Sequence, residues 1–309
     1  MGPSLRGGFG RGILSIKRHW QLYLIVILPL LYLIIFKYIP MFGAQIAFKD
    51  YNVVKGMLGS PWVGMKHFEQ FFQSPNFPVL IQNTLFLNLY ALLVGFPAPI
   101  ILALALNELR QGLFKKTVQM VTYAPYFIST VVMVSMIIIF LSPRVGFAGS
   151  VLKAFDMESV NILGLPELFR HIYVWSDIWQ HTGYGAIIYM AALAGINPQL
   201  YEAAKVDGAS RLQKIFNIDI PGIMPAAVIL LILNVGQLMN VGFEKVFLLQ
   251  NPLNTGTSEV ISTYVYKIGL IGANFSFSAA IGLFNSVINL ILLLLVNFLA
   301  RKSSETSLW

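Results

Sequence analysis

The chain has 309 residues, 57% hydrophobic and only 11% charged, whereas soluble domains carry roughly a quarter charged residues; this composition belongs in a bilayer. The net charge of +8 comes without a basic stripe interleaved with aromatics, which argues against nucleic-acid binding and for membrane orientation and contact with anionic lipid. No cysteine is present, so disulfides, thiol catalysis and cysteine metal sites are excluded.

Stretches free of Asp, Glu, Lys and Arg run over 19–36, 70–107, 117–143, 178–201, 220–243 and 268–300. Each can hold a helix of about 20 apolar residues, the length that a hydrocarbon core of roughly 30 Å demands. The expectation is therefore an all-α polytopic membrane protein. Residues 1–20 form an amino-terminal segment, 21–300 one six-span domain without internal repeats, and 301–309 a tail.

The first segment is basic and Gly-rich, and span one, Leu22 to Ile39, lacks a small-residue cleavage site, so it reads as an uncleaved helix. With both termini on the cytoplasmic side, the cytoplasmic segments hold Arg6, Arg11, Lys17, Arg18, Arg110, Lys115, Lys116, Lys205, Arg211, Lys214, Arg301 and Lys302. That density fits the positive-inside rule. Loops 42–78, 142–171 and 242–277 then lie outside, and 107–117 and 195–223 inside. The aromatic run SPWVGMKHFEQFFQSPNFP in the first outer loop forms either packed short helices or interfacial anchors.

Span two, Val79 to Leu106, carries Asn83, Thr84 and Asn88; span three is one helix from Val118 to Leu141. Pro29, Pro97, Pro99 and Pro125 fall inside spans and predict kinks. Span four, Ile172 to Ala194, carries Asp177, Gln180, His181 and Tyr184 as an i, i+3, i+4, i+7 stripe. A carboxylate at the membrane centre costs about 2.5–3.5 kcal/mol on insertion scales. This places Asp177 near the outer mouth, as a gate or substrate contact, or as an interfacial residue bonded to a neighbour.

In the inner loop, INPQLYEAAKVDGAS reads as a helix capped by Asn197, started by Pro198 and stopped by Gly208. A separate short helix from Ser210 to Asn217 follows, with Pro221 and Pro225 leading into span five, Met224 to Val241. Small Ala203 and Ala204 let another surface approach closely, and Glu202 and Asp207 can fix register by charge-assisted hydrogen bonds. Such a helix suits a groove on a partner protein.

Span five offers Asn234, Gln237 and Asn240 on roughly one face, and span six, Ser278 to Ala300, offers Asn285 and Asn289. Amides can hydrogen-bond sugar hydroxyls, and Trp175, Trp179 and Tyr184 can stack on sugar faces. A tentative substrate path therefore comprises Asn83, Asn88, Asp177, Trp179, Tyr184, Asn234, Gln237, Asn285 and Asn289. The competing reading makes each amide a link between helices. Neutral sugars suit amides; Arg144, Lys245 and Lys267 near the outer side leave acidic sugars open.

The spacing Glu202-Ala203-Ala204, three residues, Gly208, nine residues, Ile218-Asp219-Ile220-Pro221 resembles the EAA loop of permease subunits in binding-protein-dependent ABC importers, with Ile220 where the pattern has leucine. YIPMFGAQIAFKDY, WVGMKHFEQFF, KKTVQMVTYAPYFIST and the terminal TSLW resemble the LplB-type branch for oligosaccharides and polysaccharide fragments. The resemblance implies a MetI-like core of spans two to six with an added first span, in a bacterial cell membrane. It also implies that Glu202, Ala203, Ala204, Asp207, Gly208, Ile218 and Pro221 couple to an ATPase. The implied partners are a second homologous permease, two ATP-binding cassette subunits that bind ATP and Mg, and an extracytoplasmic solute-binding protein.

This chain has no phosphate-binding loop of the G-x-x-x-x-G-K-[ST] type, so it is expected to hold no ATP or other cofactor and to hydrolyse nothing itself. No HExxH or G-x-S-x-G occurs, and His19, His67, His171 and His181 are scattered, which disfavours a metal site or an embedded enzyme. The remaining alternatives are an ion- or proton-coupled secondary transporter, for which related halves are missing, and an importer permease for a non-sugar solute.

Overall fold

The computed structural model describes residues 18–158 and 160–303. Most of the expected amino-terminal segment and the end of the tail, including TSLW, lie outside the described residues. Among the described residues the fold is helical, and the sole β feature is an isolated bridge between Lys49 and Trp62. In chain order the main helices are α1 (Trp20–Leu33), α2 (Lys66–Phe72), α3 (Asn76–Gly95), α4 (Pro97–Glu108), α5 (Leu113–Tyr123), α6 (Thr130–Phe140) and α7 (Pro166–Ala194). They continue as α8 (Pro198–Val206), α9 (Arg211–Lys214), α10 (Ile220–Val235), α11 (Phe243–Leu249), α12 (Ile261–Tyr266) and α13 (Phe275–Ser303).

By length and composition, four described helices can cross a membrane: α1 with its continuation to Phe48, α3 with α4, α9 with α10, and α13. The pair α5 and α6 would make a fifth; the 29-residue α7, where the remaining span is expected, is long enough but too polar to be counted with them by composition. No residue of α1 is buried. A helix that is apolar all round and unburied in its own chain needs lipid or another chain around it.

Three expectations are corrected. Span three is not one helix: the segment Leu113–Phe127 meets Thr130–Phe140 at 100°. Pro125 lies in a 3₁₀ turn, Ser129 caps α6 through its hydroxyl, and the stranded carbonyl of Ile128 accepts from Gln180 Nε2 at 2.8 Å. The break is thus satisfied by α7, as buried backbone requires. Pro97, by contrast, starts α4 without breaking the 33-residue span Asn76–Glu108.

Span five is shifted. Its helix begins at Arg211, passes through a widened π turn at Ile215–Asp219, and ends at Val235. The expected separate helix Ser210–Asn217 is therefore the base of the span itself. Ser210 and Gln213 form a capping box at its start, with bonds of 3.3 and 2.7 Å, so the chain turns straight into the long helix.

The aromatic run of the first loop forms packed short helices. Phe71 on α2 is fully buried and sits edge-on to Phe77, Phe277 and Phe284. At the same end of the bundle, Tyr51 N–H of the first long loop donates to Ser276, Asn83 of α3 donates to the carbonyls of Gly256 and Glu259 in the third, and Asn251 and Asn254 of the third donate to Leu163 O of the second. The central helix is α7. It packs on α3, α4, α5 and α10, burying Tyr173, Val174, Ala186, Tyr189 and Leu193.

Candidate substrate cleft and docking loop

Helices α3, α4, α7 and α10 line a half-open cavity of about 370 Å³, within the usual size range of ligand sites. Its polar wall is Asn88 from α3, Asp177 and His181 from α7, Asn234 from α10, and Gln237 and Asn240 just beyond α10. Four members of the tentative path, Asn88, Asp177, Asn234 and Gln237, come together here.

The end of α10 at Val235 changes how the amides work. Gln237 and Asn240 sit on a run of turns rather than on a helix face, so the expected shared face breaks down beyond Asn234. Two side chains of α13 hold this run. Asn240 Oδ1 accepts from Asn285 Nδ2 at 2.9 Å and Asn289 Nδ2 at 3.1 Å, while Asn289 Oδ1 accepts from the N–H of Met239 at 2.9 Å. Asn285 and Asn289 therefore act as links to the unwound backbone, outside the cavity wall. Asn240 Nδ2 in turn donates to Gln237 Oε1 at 2.7 Å. That leaves the Gln237 amide N–H groups for the cavity. Asn234 and Asn88 each donate to a carbonyl one turn back, Leu230 and Thr84, at 2.8 and 3.1 Å.

The other path residues lie elsewhere. Asn83 is buried and engaged on both ends: it donates to two loop carbonyls and accepts from Arg170 at 2.9 Å. Tyr184 stacks on Tyr126 with ring centroids 3.8 Å apart, and Trp179 opens onto a separate groove beside Pro125.

Asp177 is bonded on two sides. His181 Nδ1 lies 3.3 Å and Lys245 Nζ 3.2 Å from its Oδ1. Lys245, on α11, reaches in from the loop after α10. Sequence position alone put Lys245 in an outer loop; only the early end of α10 brings it behind the cleft wall.

At the opposite end of α4, the loop expected to dock a partner folds with the expected caps. Asn197 accepts from Gln199 N–H at 3.0 Å and Pro198 opens α8. Gly208 has φ of +72°, and the N–H of Ala209 donates to Ala204 O at 2.8 Å, closing the helix by the left-handed route. Glu202, Ala203, Asp207, Gly208 and Pro221 are exposed, while Ala204 and Ile218 are half-buried. Val206, Leu212 and Phe216 are also exposed apolar groups on this surface, whereas Ile215 packs into the core beside Ile223 and Ala227. Sequence reading passed over Tyr201 and Asp219. The Tyr201 hydroxyl donates to Asp219 Oδ1. Burial first, and then Asp219, push the Tyr201 hydroxyl up to about 12 from its usual 10.0.

A bundle of long apolar helices around a half-open cleft edged by amides, with a capped, exposed helix at one end, is an architecture suited to a membrane permease. The chain belongs to the family described as the binding-protein-dependent transport system inner membrane component, which matches residues 95–305. It is 43% identical over 299 residues to the polygalacturonan/rhamnogalacturonan transport system permease protein YteP of Bacillus subtilis (strain 168), covering 97% of this chain and 93% of that one. It is 41% identical to protein LplB of the same organism, covering 97% and 95%. In structure it matches a bacterial ABC transporter involved in import of the acidic polysaccharide alginate, with a TM-score of 0.87 and 42% identity over 94% of this chain and 99% of the other. The same score, at 41% identity over 95% and 98%, relates it to the bacterial alginate ABC transporter in complex with an alginate pentasaccharide-bound periplasmic protein. The chain is thus a MetI-like, multi-pass component of a binding-protein-dependent importer.

Proposed function

We propose that this chain forms half of the membrane pathway for uptake of an oligosaccharide or polysaccharide fragment. A second homologous permease supplies the other half, and a solute-binding protein delivers the sugar at the end formed by the three long loops. Two ATP-binding cassette subunits, holding ATP and Mg, seat against α8 on the cytoplasmic side, where both termini also lie. The observation that carries the reading is the amide-lined cavity between α3, α4, α7 and α10. Its groups match sugar hydroxyls, and the cargoes named for the relatives, polygalacturonan, rhamnogalacturonan and alginate, are polysaccharides.

The test is uptake by the complete complex in liposomes, with the cognate binding protein and labelled oligogalacturonate, alginate and neutral oligosaccharides. ATP-dependent uptake of at least one oligosaccharide is expected. Uptake that follows an ion gradient without ATP would return the chain to the secondary-transporter class. Transport of only non-sugar solutes would overturn the substrate class alone.

A further inference from the structure

Tyr201 stands next to Glu202 on α8, but its side chain turns away from the docking surface. Its hydroxyl reaches Asp219, 18 residues on. Asp219 is fully buried, and its other oxygen, Oδ2, has no hydrogen-bond partner among the described residues. A buried carboxylate is costly unless its partners hold it, so this bond is a strong local constraint. Asp219 closes the π turn Ile215–Asp219, through which α9 runs into α10. At the end of α4, Glu108 lies 3.9 Å from Arg211 at the start of α9.

One phenol therefore joins the docking helix α8 to the π turn below α10, and the Glu108–Arg211 pair brings the inner end of α4 to the same base. Both α4 and α10 also wall the cleft. In sequence α8 runs between the turn at Gly195–Asn197 and the left-handed turn at Gly208, whose added Cβ would meet nothing within 4 Å. The hydroxyl adds a side-chain bond from α8 to the base of α10.

We propose that Tyr201 is a positioning residue that pins α8 to the base of α10, so that displacement of the docking helix moves that wall of the cleft. This rests on the docking reading above. π turns recur at functional sites, and here the widened turn supplies the acceptor.

The test uses the complete reconstituted complex and measures ATP hydrolysis and sugar uptake on the same vesicles for Tyr201→Phe, Asp219→Asn and Glu202→Lys. Tyr201→Phe is expected to assemble and hydrolyse ATP at the wild-type rate while uptake per ATP falls about tenfold, in the usual range of coupling between sites. Asp219→Asn keeps an oxygen that accepts the phenol proton and is expected to retain the wild-type ratio. Adding Tyr201→Phe to it should lower the ratio as in the single variant. An unchanged ratio in Tyr201→Phe, a parallel fall in hydrolysis and uptake, or failure to assemble overturns the pin, since each makes the hydroxyl dispensable or merely structural. Glu202→Lys separates the two ideas. If it uncouples while Tyr201→Phe does not, only the pin fails; if it has no effect, the docking reading fails with it.

Discussion

Lys245 Nζ sits 3.2 Å from Asp177 Oδ1 and 5.0 Å from the centroid of the Tyr173 ring, with its side chain 6% exposed against 40% for Asp177. The two charges are unequally placed: the carboxylate borders the cleft, and the ammonium is walled in behind it. Removing either partner should therefore have unequal effects. Asp177→Asn strands a buried cation and is expected to cost about 3 kcal/mol, whereas Lys245→Met leaves a carboxylate that the cleft can solvate and should cost about 1 kcal/mol. The double change Asp177→Asn with Lys245→Met should recover most of the loss, because no unpaired charge remains. Thermal unfolding of the purified protein in detergent measures all three. Equal losses for the two single changes would show that the asymmetry of burial has no energetic weight.

The amide chain Asn289–Asn240–Gln237 separates a role in binding from a role in support. Gln237→Ala removes one donor facing the cavity and should raise the half-saturating sugar concentration severalfold, in line with about 1 kcal/mol for a neutral hydrogen bond, with little change in melting temperature. Asn240→Ala strands the amides of both Asn285 and Asn289 and should lower stability as well as uptake. Uptake kinetics and melting curves on the same preparations distinguish them. Wild-type kinetics in Gln237→Ala would assign the amides wholly to helix linkage.

These cases also mark how far the sequence reaches. Long apolar helices and the caps at Asn197 and Gly208 are legible because they depend on neighbours within a few residues. Asn88, Asp177, Asn234 and Gln237 are legible as polar exceptions in apolar runs. The early end of α10 at Val235 is not, because apolar residues continue past it as Leu238, Met239 and Val241. What unwinds the chain there is the pair of α13 amides some 50 residues away. The 100° break after Phe127 is half-legible: Pro125 announces a kink, but its size depends on Gln180 of α7 taking the freed carbonyl. Lys245 and Tyr201 are hidden for the same reason, since their partners lie 68 and 18 residues away.

Two glycines are required for different physical reasons, and substitution should distinguish them. At Gly183 on α7, an added Cβ would lie 1.9 Å from the carbonyl oxygen of Thr122 on α5. Backbone cannot yield as a side-chain tip can, so Gly183→Ala must separate the helices and is expected to cost about 3 kcal/mol or more. At Gly208 the space is open and only φ of +72° opposes a side chain. Gly208→Ala should cost about 1–2 kcal/mol, and Gly208→Asn less, since asparagine tolerates the left-handed region. Melting temperatures in the order wild type, Gly208→Asn, Gly208→Ala, Gly183→Ala are expected. A Gly183→Ala protein as stable as Gly208→Asn would mean that α5 and α7 do not approach this closely.

The raised hydroxyl of Tyr201 gives the contact with Asp219 a pH signature. Because the folded-state value, about 12, lies above the ordinary 10.0, the unfolded chain loses this proton first as pH rises. The stability from the contact is therefore fully present below pH 10.0 and is lost as pH climbs through about 12. The melting-temperature difference between wild type and Tyr201→Phe should thus be constant from neutrality to pH 10.0 and shrink above it. Other tyrosines titrate in both proteins, so the difference isolates this one hydroxyl. A difference that instead stays constant above pH 10.0 would place the phenol outside the reach of Asp219.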